Sequence, residues 1–351
     1  MRLGKYGTTV ISEVIKQYQK FKLVPATKNI CYHILNRERR KSFGSANPDK
    51  TFYIIRSVDI KSPFYIGAIP CLLANYFLVI SHLKYAKDNG WVPIIDQINY
   101  PVYNSVCGEI NGTRNAWEYF WQQPTDCTLE DAYKSRNVIL SRRSWLTQWT
   151  IDYDAENYTN KELIGFYHEL SKTIPLNKEI SDHVNTAYED LFKPEDRVLG
   201  VSFRFGGYAK ESQYSAPGHP ISPDIEKLIE LVSEKFRQWS MSRIFLASDE
   251  ESSVEKFKAA FGENLSVIPR KRTDPTKIYS NKDVDPMYAT ENLHDTTLSY
   301  LTEMEILSKC TGLIGSVSGG LRYAVVRNNC AYEHAEIIDC GRFEDKNRRG
   351  S

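Results

Sequence analysis

The sequence predicts an α/β protein made of two facing domains, each built on a parallel sheet. With 351 residues the chain is about twice as long as an average domain. Short buried-type strands at 52–55 and 91–95 flank an apolar helix, which is the pattern of a parallel β-α-β unit. From 198 to 339 strands and helices alternate more regularly, as in a doubly wound, Rossmann-like sheet.

The first half is predicted to contain a basic extension followed by the smaller sheet. Residues 1–50 have a weak helical stripe at 9–22 and a Ser/Gly/Asn/Pro-rich stretch at 37–50 that is typical of a loop. A domain over 51–193 follows, with a helix at about 71–86 between its first two strands. It adds a strand at 138–140 and helical segments at 161–192, interrupted at Pro175.

The second half is predicted to form a domain over 194–351. Strands are expected at 198–203, 244–247, 265–268, 312–315 and 335–339. Ser222-Pro223-Asp224 begins a helix with an apolar stripe, and Gly262 ends the next helix. A polar loop is expected over 270–296, before a helix that contains Leu298, Leu301, Met304 and Leu307.

Charge is distributed unevenly along the chain. The total is +1, which does not favour a nucleic-acid partner. Residues 1–50 carry eleven Lys or Arg and three acids, so they sum to +8 and the rest to +1 − 8 = −7. With the weak helical stripe, the Arg37–Lys41 cluster predicts peripheral contact with an anionic membrane. A solvated extension, or a helix packed on the neighbouring domain, explains these residues equally well.

Residue usage predicts a cytoplasmic protein. The first residues, MRLGKYGTTVISEV, lack the apolar segment of a secretory signal. The most apolar stretch, 65–80, is too short and too interrupted to span a bilayer. The seven cysteines are odd in number and have no CxxC spacing, which argues against a disulfide scaffold or a zinc site and for a reducing compartment.

Two loops at strand ends predict an anion site. Arg204, Gly206 and Gly207 follow one strand, where Arg can grip a phosphate and glycine lets the backbone approach it. The second loop lies between a strand and a helix, where backbone N–H groups, hydroxyls and the helix dipole favour an anion. Its candidate residues are Ser316, Ser318 and Gly319. A tight βα turn explains either loop alone, whereas both together favour a diphosphate ligand.

Four further residues are candidates for ligand binding. Ser248 and Asp249 end a strand and can bind sugar or nucleoside hydroxyls, although either can instead cap the next helix. Glu303 lies one helical turn above the Ser316 loop, where a solvated helix carboxylate is the alternative. His219 lies in a loop from which it can reach a ligand, but such a histidine is more often structural.

Asp96, at the end of the strand at 91–95, and Glu211, after the Arg204 loop, are the candidates for a cleft carboxylate that acts as a base. The DxD pairs at 152–154 and 283–285 have a spacing that chance alone explains. No GxxxxGK[ST], GxGxxG, GxSxG or HExxH pattern occurs, which disfavours P-loop NTPases, dinucleotide oxidoreductases and hydrolases.

Several segments together resemble the fucosyltransferase superfamily, which has the GT-B fold. They are GHPISP at 218–223, IFLASDEES at 244–252 and YLTEMEILSKCTGLIGSVSGG at 300–320. The first half adds LLANYFLVISHLKYAKDNGWVPIIDQINYP at 72–101 and NAWEYFWQQP at 115–124. The superfamily includes α-1,6-fucosyltransferases, the rhizobial nodulation fucosyltransferase and O-fucosyltransferases. The chain looks most like bacterial O-fucosyltransferase-like proteins of surface-polysaccharide clusters, and the resemblance covers most of 52–340.

The resemblance implies roles for individual residues. Arg204 matches the arginine that holds the donor β-phosphate, and Ser318 and Gly319 match a Ser-rich phosphate loop. Glu303 matches an acid that α-1,6 enzymes use against guanine. The family's Asp and His of the first motif fall on Gly207 and Ser202, two positions that help to shape the nucleotide pocket.

The implied activity is a metal-independent, inverting transfer of a sugar, most simply fucose from GDP-fucose, onto a hydroxyl of a glycan. No cofactor is expected beyond this donor. The expected partners are the nucleotide sugar and a glycan or glycolipid acceptor of surface-polysaccharide or glycoconjugate synthesis, with residues 1–50 in contact with the inner face of the membrane. Another nucleotide sugar, or a non-catalytic nucleotide-sugar-binding homologue, remains the alternative.

Overall fold

The computed structural model describes residues 37–57, 72–143, 146, 154–204, 218–272 and 292–343. They form two sheets, one from each half of the chain, with helices between and outside them. The predicted α/β fold with two parallel sheets is therefore confirmed, except that one edge strand of the first sheet is antiparallel.

The first sheet has the strand order β1-β4-β2-β3. Its strands are β1 (Arg39–Lys41), β2 (Ala46–Ile55), β3 (Val92–Ile95) and β4 (Ser135–Leu140). Helix α1 (Leu72–Asp88) connects β2 to β3, and the short α2 (Leu129–Tyr133) precedes β4. Because β2 has β3 on one side and β4 on the other, the chain reverses its winding direction between β2 and β4.

The prediction of a loop over 37–50 is wrong. Arg39–Lys41 pair antiparallel with β4, and Ala46 already begins β2. The side chains from Ala46 to Lys50 are mostly exposed, so the apolar alternation that identifies a strand starts only at Phe52. A register irregularity between Ala46 and Thr51 also separates this polar half of β2 from its buried half.

The second sheet is entirely parallel, with the strand order β7-β6-β5-β8-β9. Its strands are β5 (Val198–Phe203), β6 (Arg243–Ser248), β7 (Leu265–Ser266), β8 (Gly312–Ser316) and β9 (His334–Ile338). Five strands occur where the sequence predicts them. This order matches the first five strands of a Rossmann fold, 3-2-1-4-5, and its winding direction reverses between β5 and β8.

Six longer helices complete the described chain. They are α3 (Lys161–Ser171), α4 (Lys178–Leu191), α5 (Ile225–Gln238), α6 (Glu251–Phe261), α7 (Leu293–Lys309) and α8 (Gly319–Asn328). The loop predicted over 270–296 ends earlier than expected, because Asn292 caps α7 by accepting a hydrogen bond from the N–H of Asp295. None of the helices in these ranges is long and apolar enough to cross a membrane.

A shared layer of helices packs between the two sheets. Buried side chains of α1, α3, α4, α7 and α8 belong to one continuous core. Tyr76 of α1 contacts Tyr323 of α8 with ring centroids 4.8 Å apart, and it stacks on Trp117 at 6.1 Å. The outer face of the second sheet is covered by α5 and α6 in a separate core. The core thus continues across the predicted boundary at 193–196, and that division of the chain stays a prediction.

Polar contacts also join the two halves of the chain. The Tyr158 hydroxyl donates to the Ser318 carbonyl at 3.0 Å, and His168 Nδ1 bonds the Val326 carbonyl at 2.9 Å. Buried Asn104, in the loop after β3, accepts a hydrogen bond from Thr297 of α7 at 3.4 Å. These bonds hold the first half of the chain against α7, α8 and the residue that caps α8.

Candidate functional site

The predicted donor-side residues converge at the carboxyl edge of the second sheet. Arg204 follows β5, Asp249 follows β6, and the Ser316–Ser318 loop follows β8. The registers place Phe203 beside Ser248 and Ser202 beside Gly315, so the three strand ends are direct neighbours. Ligands of open α/β sheets bind at this edge, where the winding direction reverses.

Arg204 is accessible at this edge and faces a carboxylate. Its Nε lies 3.4 Å from Oδ2 of Asp249, and each side chain is 25% exposed. The Ser222 hydroxyl donates to the Arg204 carbonyl, which fixes the backbone where β5 ends. Because solvent reaches this ion pair, a ligand can approach the guanidinium from the open side of the edge.

The loop after β8 ends in a capped helix N-terminus. Ser318 caps α8 by accepting a hydrogen bond from the Leu321 N–H at 3.1 Å, and Gly319 is the first helical residue. The first N–H groups of a helix lack partners inside it and carry partial positive charge. A Cβ on Gly320 would lie 2.7 Å from the Met304 sulfur, so glycine lets α8 approach α7. This geometry suits a phosphate beside Arg204.

A pair of buried arginines, which the sequence reasoning missed, adjoins the strand ends. Arg270 donates to both carboxylate oxygens of Glu303 at 2.9 Å, and Arg272 donates to one of them at 3.4 Å. Both also donate to the Ser248 carbonyl, at 2.9 and 3.2 Å. The side chains of Arg270, Arg272 and Glu303 are 9%, 3% and 1% exposed.

The geometry gives Glu303 a different role from the expected contact with guanine. Both of its oxygens accept hydrogen bonds from arginines, and its carboxylate lies below the surface. Burial disfavours the charge on Arg270, but the facing carboxylate outweighs this and raises the pKa of Arg270. The basic run after β7, Arg270-Lys271-Arg272 at a strand's carboxyl end, was the available signal.

His219 lies close enough to Arg204 to sense its charge. Burial, and then the positive guanidinium of Arg204, lower the pKa of His219 below its usual 6.5. The imidazole is therefore neutral near pH 7, and its ring presents one donor and one acceptor. A neutral ring adds no positive charge to the phosphate site but can orient a ligand oxygen.

The effect of Arg204 on His219 gives a direct test of their proximity. In the Arg204→Ala variant the pKa of His219 should rise, yet stay below 6.5, since burial remains. NMR titration of the histidine ring signals measures this. The ring signals of His334, which stacks on Trp239, are the internal control and should coincide in the two proteins. An unchanged titration curve of His219 would contradict the proximity of the two residues.

Asp96 does not have the geometry of a catalytic base. The side chain is fully buried, and its Oδ1 accepts from the backbone N–H groups of Ile98 and Asn99. Its Oδ2 accepts from the Asn99 amide at 2.9 Å and the Tyr133 hydroxyl at 2.6 Å. A carboxylate with these four bonds orders the turn after β3 and cannot also take a proton from an acceptor.

Three predicted site residues, Gly206, Gly207 and Glu211, lie outside the described residues, as do the DxD pair at 283–285 and Asp152 of the other pair. Their roles stay predictions. Within the described ranges, no group of three or more His, Cys, Asp or Glu side chains is arranged to hold a metal ion.

Comparison with known proteins finds no matching family model and no matching curated protein. Among solved structures, the α-1,6-fucosyltransferase NodZ soaked with GDP-fucose matches at 16% identity, with a TM-score of 0.42, over 79% of this chain and 92% of its own. Fucosyltransferase NodZ from Bradyrhizobium matches at 16% identity and a TM-score of 0.42, over 78% and 93%. POFUT1 in complex with GDP matches at 11% identity and a TM-score of 0.42, over 83% and 99%.

Proposed function

We propose that this protein is an inverting glycosyltransferase that moves a sugar, most simply fucose from GDP-fucose, onto a hydroxyl of a glycan without a metal ion. The observation that carries the proposal is the site at the β5/β8 edge. There an accessible guanidinium, Arg204, and the capped N-terminus of α8 follow the neighbouring strands β5 and β8. Both groups favour a diphosphate, and they stand where an α/β sheet binds its ligand.

The chemistry needs a stabilised leaving group more than a covalent intermediate. The acceptor oxygen attacks the anomeric carbon from the face opposite the diphosphate, and the bond from that carbon to the phosphate oxygen breaks. The diphosphate leaves with the bonding electron pair, and the acceptor proton passes to a base or to water. Arg204 and the N–H groups that follow Ser318 would neutralise the charge that develops on the leaving oxygen.

The other residues of the edge would position the nucleotide. Asp249 directly follows β6 and is 25% exposed, so it suits ribose or base N–H and hydroxyl groups. Ser248 is 2% exposed and acts through its carbonyl, which holds Arg270 and Arg272. Glu303 would keep these arginines in place beside the nucleotide, and neutral His219 would border the phosphates next to Arg204.

The base that takes the acceptor proton is the open part of this mechanism. The hydrogen bonds of Asp96 argue against it as this base, and the role of Glu211 stays a prediction. Ser202, where the resembling family has His, is 7% exposed at the end of β5. This difference favours a second candidate, transfer from another nucleotide sugar, and the change at Gly207 favours a non-catalytic binding protein.

Nucleotide selectivity tests the proposal. Thermal unfolding should show GDP raising the Tm by a few degrees and UDP or CDP raising it less, since a ligand at 100 times its Kd stabilises by about 2.7 kcal/mol. The GDP effect should be equal in EDTA and in Mg²⁺. Stabilisation by UDP over GDP would support another donor, and absence of any nucleotide effect would contradict the site. GDP binding without GDP release from GDP-fucose, with glycan acceptors present, would indicate a binding protein.

The membrane contact predicted for residues 1–50 remains a separate proposal. Residues 1–36 lie outside the described part of the chain, and Arg39–Lys41 form the edge strand β1. Of the basic cluster, these three residues are thus part of the first sheet rather than of a detached extension.

A further inference from the structure

Polar residues follow the strands of the first sheet at its carboxyl edge as well. Arg56 comes directly after β2, Tyr100 lies in the loop after β3, and Arg143 follows β4. Since the winding direction reverses between β2 and β4, this edge has the topology that places ligand sites in open α/β sheets. Nothing in the proposed donor chemistry uses these residues.

Two guanidinium groups contact the same aromatic ring there. The Cζ of Arg56 lies 5.2 Å, and that of Arg143 4.8 Å, from the centroid of the Tyr100 ring. Arg56 is 2% exposed and is held by the Ser141 carbonyl at 2.7 Å and the Arg37 carbonyl at 3.1 Å. A buried charge is costly unless it is compensated, and Arg56 is compensated here by carbonyl oxygens and an aromatic ring.

The surroundings add further positive charge. Burial, and then the neighbouring Arg143, lower the pKa of Arg56 to about 10, and Arg39 acts in the same direction. Arg142 is exposed beside Arg143, and Arg37–Lys41 line an open cavity of about 550 Å³.

Two acids face this cluster. Glu38 interacts with Arg40, Arg142 and Arg56, although its own burial raises its pKa. Asp96 holds the turn after β3 through the four hydrogen bonds described above. Among the described residues, the seven basic side chains named here outnumber these two acids.

We propose that Arg56 and Arg143, whose guanidinium groups contact Tyr100, form with exposed Arg142, the residue before Arg143, an arginine cluster that binds an anionic group of the glycan acceptor. The inference rests on the proposed function, and it names the acceptor class: a sugar chain that carries a carboxylate or a phosphate. Guanidinium groups pair with both of these through parallel hydrogen bonds. Arg56 is recessed below the surface, which suits a single projecting group better than the flat face of a bilayer.

The cluster is linked to the donor side through the loop after β3. Asn104 of this loop bonds Thr297 in the first turns of α7, and Glu303 lies less than two turns further along the same helix. The acceptor end of the first sheet and the arginine pair of the donor edge are therefore attached to one rigid helix. An acid-bearing glycan held at Arg143 would be positioned against the same body as the nucleotide.

Calorimetry with matched charged and neutral sugars tests the proposal. The pairs are tetragalacturonate with cellotetraose, and glucose 6-phosphate with glucose. For at least one pair, wild-type protein should bind the charged sugar at least tenfold more tightly. Arg143→Gln should lose about tenfold of that preference and exposed Arg142→Gln a smaller part, while Arg136→Gln, an exposed position on β4, should keep it. Thermal unfolding verifies that each variant is folded.

Three results would overturn the inference. They are equal binding of charged and neutral sugars in both pairs, a preference unchanged in both cluster variants, or selective sedimentation with phosphatidylglycerol vesicles that Arg143→Gln abolishes while the sugars are not distinguished. GDP titrations in the same experiment separate the two proposals. Normal GDP binding without charged-sugar preference contradicts only the acceptor class, whereas charged-sugar preference without GDP binding contradicts the proposed function.

Discussion

Replacing Arg204 with Ala is expected to lower the rate of GDP release from GDP-fucose by about 10²–10³-fold, the usual cost of losing one donor to a developing charge. The guanidinium is an accessible cation at the β5/β8 edge, where the leaving diphosphate would lie. GDP affinity should also fall, because hydrogen bonds to charged groups contribute about 1.5–3 kcal/mol. Coupled detection of free GDP and calorimetry measure the two effects.

The matched control is Arg237→Ala, which removes an exposed arginine of α5 from the same domain. It should leave turnover and GDP affinity unchanged. Arg204→Lys should recover only part of the activity, because an ammonium group lacks the planar pair of donors. Turnover in Arg204→Ala equal to that of the wild type would remove Arg204 from the mechanism, provided that both proteins unfold at the same temperature.

Replacing Glu303 with Gln is expected to destabilise the protein by about 3–5 kcal/mol, the cost of breaking a buried ion pair from one side. Arg270 and Arg272 would then share a site that excludes water, without the carboxylate that both now contact. Urea unfolding measures the loss of free energy. GDP binding should weaken as well, since the arginines would no longer be held against the Ser248 carbonyl.

Glu251→Gln provides the matched comparison within the same cluster. Glu251 lies 4.0 Å from Arg272, but its side chain is 50% exposed, so this pair should contribute less than about 1 kcal/mol. Glu303→Asp keeps the charge and should fall between the two variants. If Glu303→Gln were as stable as Glu251→Gln, the buried arginine pair would not depend on this carboxylate.

The strands that the sequence predicts best are those whose two faces are both buried. Val198–Phe203 is completely buried, so its apolar run is continuous and its end marks the position of Arg204. The opposite case is Ala46–Lys50, where a strand with exposed side chains looks like a polar loop. This segment is a strand because it pairs with β4, which lies about 90 residues later in the chain. No local sequence pattern contains that information.

The same limit applies to the site. Sequence reasoning could place Arg204, Asp249 and Ser318 at one edge, because parallel strands end on the same side. It could not foresee that Glu303 is met by Arg270 and Arg272, because α7 must first pack across the strand ends to bring them together. Asp96 shows the converse. Its position at a strand end suggests a free carboxylate, but Tyr133, 37 residues further along, donates a hydrogen bond to it.

A crystal structure of the GDP complex tests the central claim most directly. The account predicts the β-phosphate within hydrogen-bonding distance of the Arg204 guanidinium and of the backbone N–H groups that follow Ser318. It also predicts the nucleoside on the side of Asp249. GDP bound elsewhere on the molecule, or a β-phosphate that contacts neither Arg204 nor the start of α8, would contradict it.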